Sequence, residues 1–273
     1  MRKIFFVILA SVVMTMGFMS NSCVKRSAWD AADTVVIACA SSSDSSCFRL
    51  ANGSYCKMFV QADVAYPKKY RNSKNTKLLQ SLFAQHALNM ASSARFMETL
   101  KNYASVITND NSDSVKQKPG TADIQHIYKM RINVSTGYNQ NGIISFCLKE
   151  TITKDEMEPS QEQTFFNFDL ATMGCINLDS LFLENSRDAI TNLLRNKLIA
   201  DNNASGEEDL HNLGYFNLDN LTVNNNFFIS REGITWSYKP GAIAIMKVGE
   251  PQVFLSFNEL EEFYSERSPL KRF

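Results

Sequence analysis

The chain has 273 residues, 28 of them basic and 28 acidic, so it is neutral overall, with the two signs mixed along its length. No basic stripe interleaved with aromatics runs through it, which excludes nucleic acid as an expected partner. Hydrophobic residues make up 44%, enough for a sizeable core in one or two domains.

Arg2 and Lys3 precede an uncharged, largely apolar run from Ile4 to Met19, and the small residues Ser20, Asn21 and Ser22 lead to Cys23. That order of charge, apolar run and small residues gives a secretory signal over residues 1–22. The run is short for a spanning helix, which needs roughly 20 apolar residues. Cys23 directly after Ser22 resembles a bacterial lipoprotein site, where the new N-terminal cysteine is lipidated. Ser20 stands where that pattern usually has an aliphatic residue. The expectation is an exported protein held to the membrane of the bacterial envelope through lipid on Cys23; plain signal cleavage and release is the alternative. Without Arg2 and Lys3, 26 basic residues (28 − 2) face 28 acidic ones, still near neutrality.

Residues 23–46 are small and polar, ending in Ser41-Ser42-Ser43-Asp44-Ser45-Ser46, and read as a tether apart from the apolar patch Val35-Val36-Ile37. A small α+β domain over residues 47–115 then opens with a hairpin, Cys47–Leu50 and Tyr55–Ala65, turning at Asn52-Gly53. In its second strand Cys56, Met58, Val60, Ala62 and Val64 alternate with Lys57, Gln61 and Asp63, the pattern of a half-buried strand. A two-residue turn places Cys47 opposite Met58 and Cys56 opposite Arg49. The two thiols then share a face but sit diagonally, about 7 Å or more apart; a longer loop would realign them. Cys47–Cys56 and Cys147–Cys175, the latter on neighbouring predicted strands, are the candidate disulfides. The alternative is buried free thiols, and lipid on Cys23 would leave an odd five.

Helical spacing predicts two amphipathic helices. One carries Leu78, Leu79, Leu82, Phe83, His86, Ala87 and Met90; the other carries Phe96, Met97, Leu100, Tyr103, Ala104 and Ile107, after Ser92 and Ser93 as caps. The polar stretch from Asn109 to Pro119-Gly120 is a loop or a domain junction. A second domain, residues 122–268, begins with a meander: Ile124–Val134, Ile143–Thr153, Thr164–Leu170 and Cys175–Leu178. The helix Ser186–Ala200 follows, with Ile190, Leu193, Leu194 and Leu198 on one side. The last block has strands Phe227–Ser230, Ile234–Tyr238 and Val253–Phe257, joined by a turn at Arg231-Glu232-Gly233 and a corner at Lys239-Pro240-Gly241. A final helix starts after Asn258, whose spacing to Glu261 suits a capping box. Strands and helices fall in separate runs, so the fold class is α+β with mostly antiparallel sheet and packed amphipathic helices.

Asn226-Phe227-Phe228-Ile229 through Gly233-Ile234, then Ala242-Ile243-Ala244 and Gly249, is similar to the C-terminal signature of the RsiV-type domain, the extracytoplasmic domain of a lysozyme-sensing anti-sigma factor. Phe166-Asn167-Phe168-Asp169-Leu170, followed by Ile176-Asn177-Leu178-Asp179-Ser180-Leu181-Phe182, resembles the family's strand–turn–strand segment. The hairpin, Tyr66-Pro67 and the next helix resemble the small domain that precedes it in relatives and that also sits beside a peptidoglycan deacetylase as a non-catalytic module. Two stretches depart from the family: Asp155-Glu156-Met157-Glu158-Pro159 replaces a Tyr/Gly/His-rich loop, and Ile245-Met246 stands where relatives tend to have Pro-Tyr. The anti-sigma members carry a transmembrane helix before the domain; a signal and tether here make signalling by this chain alone unexpected. The resemblance implies an envelope lipoprotein binding a protein or glycan ligand, with lysozyme or peptidoglycan as expected partners; the alternative is a peptidoglycan- or glycan-associated structural module.

The residues themselves give little catalytic chemistry. His86, His126 and His211 are isolated, and His86 falls in an apolar stripe as a core histidine would. Ser54-Tyr55-Cys56-Lys57 has Ser-x-x-Lys spacing without its companion motifs. No phosphate loop or dinucleotide fingerprint occurs, so no cofactor is expected. No CxxC or cysteine–histidine spacing suits zinc, and neither the Asn224-Asn225-Asn226 run nor the acidic loops follow a calcium-loop pattern, so no metal is expected. Glu207-Glu208-Asp209 and Asp155-Glu156 read as solvated charge rather than glycosidase pairs. The expectation is a non-enzyme, with a hydrolase as the remaining alternative. Trp236 and Tyr238 share one strand face; they are the candidate ligand contacts, or they pack under the C-terminal helix. Asp33-Thr34-Val35 and Asp113-Ser114-Val115 resemble short O-glycosylation sites of Bacteroidota secreted proteins.

Overall fold

A computed structural model describes residues 34–50, 52–90, 95–110 and 124–273. The signal, Cys23 and Asp113-Ser114-Val115 lie outside the described residues. The fold is α+β, as expected, with a six-stranded sheet in the order β1-β2-β3-β4-β5-β6 and a three-stranded sheet β7-β8-β9.

The large sheet starts with β1 (Val36–Arg49) and β2 (Tyr55–Lys69), followed by the helices α1 (Ser73–Ala87), α2 (Phe96–Lys101) and α3 (Tyr103–Asp110). It continues with β3 (Ile124–Gln140), β4 (Ile143–Lys154), β5 (Ser160–Asp169) and β6 (Gly174–Cys175). All neighbours run antiparallel except β2 and β3, which pair in parallel from Tyr55 opposite Ile124 to Val64 opposite Val134. The strands on either side of residues 111–123 therefore belong to one sheet.

The segment expected to be a tether is a strand from Val36 onward. Its serines are used rather than merely solvated. Ser42 Oγ accepts the Ala104 N–H at 3.0 Å, Ser46 Oγ donates to the Thr108 carbonyl, and Thr108 Oγ1 donates to Asp44 at 3.0 Å. Small side chains with hydroxyls let α3 sit close against an edge strand and satisfy its polar groups, a role that composition alone cannot separate from a solvated linker.

Burial along each strand shows what covers it. In β2 burial alternates over Cys56, Met58, Val60, Ala62 and Val64, as predicted, with the buried set under α1–α3. At the start of β4, Ile143 and Ile144 are both fully buried and belong to different apolar cores. Successive residues on a strand face opposite ways, so this part of the sheet is covered on both sides. The second cover comes from β7 (Phe227–Ile229), β8 (Gly233–Ser237) and β9 (Gln252–Ser256), together with the short α4 (Leu178–Leu181) and with α5 (Arg187–Asp201), which buries Ile190, Leu194 and Leu198. Two asparagines join the sheets through peptide-like pairs. Asn167 donates to the Phe227 carbonyl at 2.7 Å and accepts from Ile229 N–H, while Asn226 donates to the Gln163 carbonyl and accepts from Phe165 N–H at 2.9 Å. A side-chain amide that pairs with a backbone peptide extends a ladder where two sheets cannot pair directly.

The C-terminal block keeps its predicted order with one shift. The capping box is built from Ser256 and Glu259, and the helix is α7 (Phe257–Leu260), two residues earlier than the Asn258–Glu261 pair suggested. Both pairs have the same spacing, and the strand end at Ser256 decides between them. Gly233, the first residue of β8, has no room for a side chain: a Cβ would press into the Leu255 carbonyl and lie 2.8 Å from the Phe254 ring. Because one obstacle is neighbouring backbone, Gly233→Ala is expected to cost about 1–3 kcal/mol, seen as a lowered urea midpoint. An unchanged midpoint would mean that β8 and β9 are not paired closely here.

Candidate functional site

Among the described residues, the cover on the outer face of the large sheet reaches only β4 and the end of β3, where Phe228 sits against Gly137 and Tyr138 joins the core. Over β1, β2, the first part of β3 and the far part of β4 no described residue covers this face, and the observed registers arrange its side chains in rows. One row runs Ser45, Phe59, Lys129, Thr153; the next runs Ser43, Gln61, Arg131, Thr151; a third runs Ser41, Asp63, Asn133, Lys149. Neighbours within a row are one strand spacing apart, about 4.8 Å, and Lys129 and Arg131 are about 6.6 Å apart along β3. The first two rows line a groove of about 670 Å³.

Phe59 is 39% exposed in this groove, unusual for a ring on a strand, and the Lys57 ammonium lies 4.8 Å from its centroid. Arg131 donates to Gln61 Oε1 at 3.3 Å, Gln61 donates on to Asp63, and Ser41 Oγ donates to Asp63 at 2.6 Å. Asp63 thus accepts from two neutral groups. Lys57, Lys129 and Arg131 form no ion pair with a carboxylate among the described residues. A fork of five N–H donors has lost only one to Gln61. The groove can therefore hold anionic and hydroxyl-rich groups, through cations, hydroxyls, an amide and one aromatic face.

The residues singled out from sequence lie elsewhere. Trp236 is fully buried and Tyr238 nearly so, which removes them as ligand contacts. Tyr238 donates its hydroxyl to the Thr222 carbonyl at 3.0 Å, and burial pushes its proton affinity well above the ordinary phenol range. They share a face, but it is the face that packs into the core.

Both candidate disulfides are corrected. The β1–β2 loop is longer than two residues, closed by Leu50 N–H to the Ser54 carbonyl, so Cys47 is opposite Lys57 and Cys56 opposite Phe48. A shift of one residue turns a strand over, and the two thiols now project from opposite faces. Cys147 is opposite Phe165 and Cys175 opposite Phe168, so β5 lies between them, and the offset of three along β5 puts them on opposite faces as well. All five cysteines in the described residues are free thiols, and burial pushes those of Cys56 and Cys147 up to about 11.

Other suspected groups have structural work. His86 is exposed at the end of α1 rather than in the core, with Phe168 beside it at 6.2 Å. His126 Nδ1 lies 2.9 Å from Asp155, which also accepts the Ile127 N–H at 2.7 Å, and these bonds hold Asp155 below the usual carboxylate range. In Ser54-Tyr55-Cys56-Lys57, Ser54 donates to Asn52 while Lys57 covers Phe59, so the hydroxyl and amine have separate partners. Glu207, Glu208 and Asp209 form the first turn of α6 (Glu207–Asn212), where Asp209 accepts from Ser205 and Glu207 pairs with Arg195. Such a position favours acidic residues through the helix dipole. Asn224 and Asn225 accept the backbone N–H groups of Asn226 and Leu178. A second groove, of about 560 Å³, holds three carboxylates, but Asp169 is bound by Arg272 and Asp179 by Arg187, leaving Glu266.

The sequence did carry a sign of the bare face. Lys129, Arg131 and Asn133 alternate with Tyr128, Met130, Ile132 and Val134, marking one polar side of β3. What it lacked was the parallel pairing that sets those cations beside Phe59 and Gln61.

Residues 179–258 match the model of a family described as "Protein of unknown function (DUF3298)", inside the region that resembled the RsiV-type domain. Among solved structures the chain is similar to a DUF3298 family member from Bacteroides fragilis, at 19% identity and a TM-score of 0.63, over 88% of this chain and 98% of that one. It is also similar to a DUF3298 family protein from Pseudomonas aeruginosa PAO1, at 11% identity and a TM-score of 0.54, over 86% of this chain and 97% of that one. At these identities the likeness shows a shared fold over nearly the whole described chain. No curated protein matches it.

Proposed function

We propose that this chain is a non-catalytic binding module of the bacterial envelope, exported by its leader, held by lipid on Cys23, and related to the RsiV-type domain. Its ligand surface is the bare outer face of β1–β4. The observation that carries this reading is the half-covered sheet: one part of the outer face is sealed by β7–β9, and the rest exposes Phe59, Gln61, Lys129 and Arg131 around one groove. Hydroxyls, an amide, cations and a single ring bind, whereas acid–base catalysis calls for a carboxylate or histidine poised at the reacting atom.

Among the ligands that the resemblance implies, this face favours an envelope glycan such as peptidoglycan over a lysozyme. Lysozymes are usually strongly basic, and Lys57, Lys129 and Arg131 would repel one. The test is binding of the chain from residue 24 onward, which keeps every described residue, to muropeptides and to a c-type lysozyme at low and high salt. Muropeptide binding that weakens at least fivefold in Phe59→Ala, with lysozyme unbound, is the expected result. Submicromolar lysozyme binding without a muropeptide signal would overturn the glycan assignment.

A further inference from the structure

We infer that the groove selects an acidic glycan, one with carboxylate or sulfate groups along its chain, and that Lys129 and Arg131 read those groups; this rests on the sheet face being the ligand surface. Three observations converge. The face carries Lys57, Lys129, Arg131 and, one row on, Lys149 against the carboxylate Asp63, in a protein that is neutral overall; Asp44 also borders the groove, its carboxylate accepting from the Ser45 N–H and the Thr108 hydroxyl. Asp63 accepts from Ser41 and Gln61 and forms no ion pair with these cations among the described residues. The remaining lining is sugar-like in its demands: the hydroxyls of Ser43, Ser45, Thr151 and Thr153, the Gln61 amide, and the exposed Phe59 ring.

The layout fits an extended polymer better than a compact anion. The backbone positions of Lys129 and Arg131 lie about 6.6 Å apart on one strand face, a spacing suited to acidic groups on successive sugars. Thr153 and Phe59 flank Lys129, while Thr151 and Gln61 flank Arg131, so each cation sits between a hydroxyl donor and a partner on the next strand. Arg131 is oriented by Gln61 at 3.3 Å, which presets its fork before ligand arrives. An acidic peptide would more naturally pair its backbone with a strand edge; this groove lies on the face and offers side chains.

The probes are hexagalacturonate, the uncharged maltohexaose and a short polyglutamate, each titrated against the chain from residue 24 onward by calorimetry. Hexagalacturonate is expected to bind at least tenfold more tightly than maltohexaose and to weaken as salt screens the cations. Lys129→Ala with Arg131→Ala should lose at least tenfold in hexagalacturonate affinity with an unchanged melting temperature, and Lys74→Ala on α1 should change nothing. Equal affinity for the charged and neutral sugars, or an undiminished affinity in the double variant, overturns the inference. Polyglutamate binding more tightly than hexagalacturonate also overturns it and assigns the cations to an acidic peptide. If Phe59→Ala abolishes muropeptide binding while the charge variant leaves it intact, only the acidic selectivity fails. Loss of neither, with no sugar bound at all, removes the ligand face itself.

Discussion

Trp236→Ala is expected to lower the free energy of unfolding by about 3–5 kcal/mol, the usual cost of emptying a large aromatic site in a core. Trp236 is fully buried on β8, the central strand of the small sheet, directly opposite Phe227 on β7 and Val253 on β9. Phe182 stacks on it at 6.3 Å and Phe227 lies at 6.2 Å, so its removal loosens β7 and β8 together with the segment before α5. The indole N–H is buried without a partner among the described residues, and an unmet donor costs roughly 1–3 kcal/mol. Trp236→Phe therefore removes bulk and an unsatisfied group together, and should lose less than about 2 kcal/mol. Urea denaturation at neutral pH orders the three proteins. A stable Trp236→Ala protein that no longer bound muropeptide would instead make this indole a ligand contact.

Arg272→Ala should cost about 2–4 kcal/mol, because it leaves a largely buried carboxylate without its cation. Arg272 meets both oxygens of Asp169 at 2.7 and 3.0 Å and ties the last residues of the chain to the end of β5. The lower part of that range is the better expectation, since the Arg272 side chain is one-third exposed. Burial by itself would raise the Asp169 carboxyl, yet Arg272, the Ala171 N–H and the Thr172 hydroxyl together hold it below its ordinary 3.8. A depressed carboxylate binds protons less readily folded than unfolded, so its stabilisation is full above the ordinary value and is lost as pH falls through the folded one. The parent should thus lose stability steeply below about pH 4, and Arg272→Ala should show a shallower loss over the same interval. Asp44 and Glu259 are shifted down as well, and burial moves Glu150 and Glu250 the other way. The difference between the two proteins isolates the Asp169 pair. Parallel pH curves would mean that the pair contributes nothing to folding.

The candidate site divides between what a strand shows locally and what it cannot. Alternation in β2 marked a polar side, and that prediction stands in the structure; the same alternation is present in the sequence of β3, where no polar side was predicted. Exposure of Phe59 did not show, because phenylalanine in a strand is ordinarily a core residue and the residues on either side gave no sign of what covers it. The opposite error arose at Trp236 and Tyr238. Their shared face was legible, but the choice between solvent and core depended on Phe182, more than fifty residues away, and on strands that pack across it.

Local pattern was sufficient for the α+β class, the order of strands and helices, the buried side of β2 and the three C-terminal strands, because periodicity and turn residues act over a few positions. Contacts between distant segments decided the rest. The hairpin register followed from how the loop closes, and one residue of difference separated the thiols. The serine-rich edge became a strand only because β2 and α3 were there to meet it. The parallel pairing of β2 with β3 joined what looked like two domains and brought Lys129 and Arg131 beside Phe59 and Gln61. A sequence fixes that a strand has two faces; only the packing of other elements determines which of them remains open to a ligand.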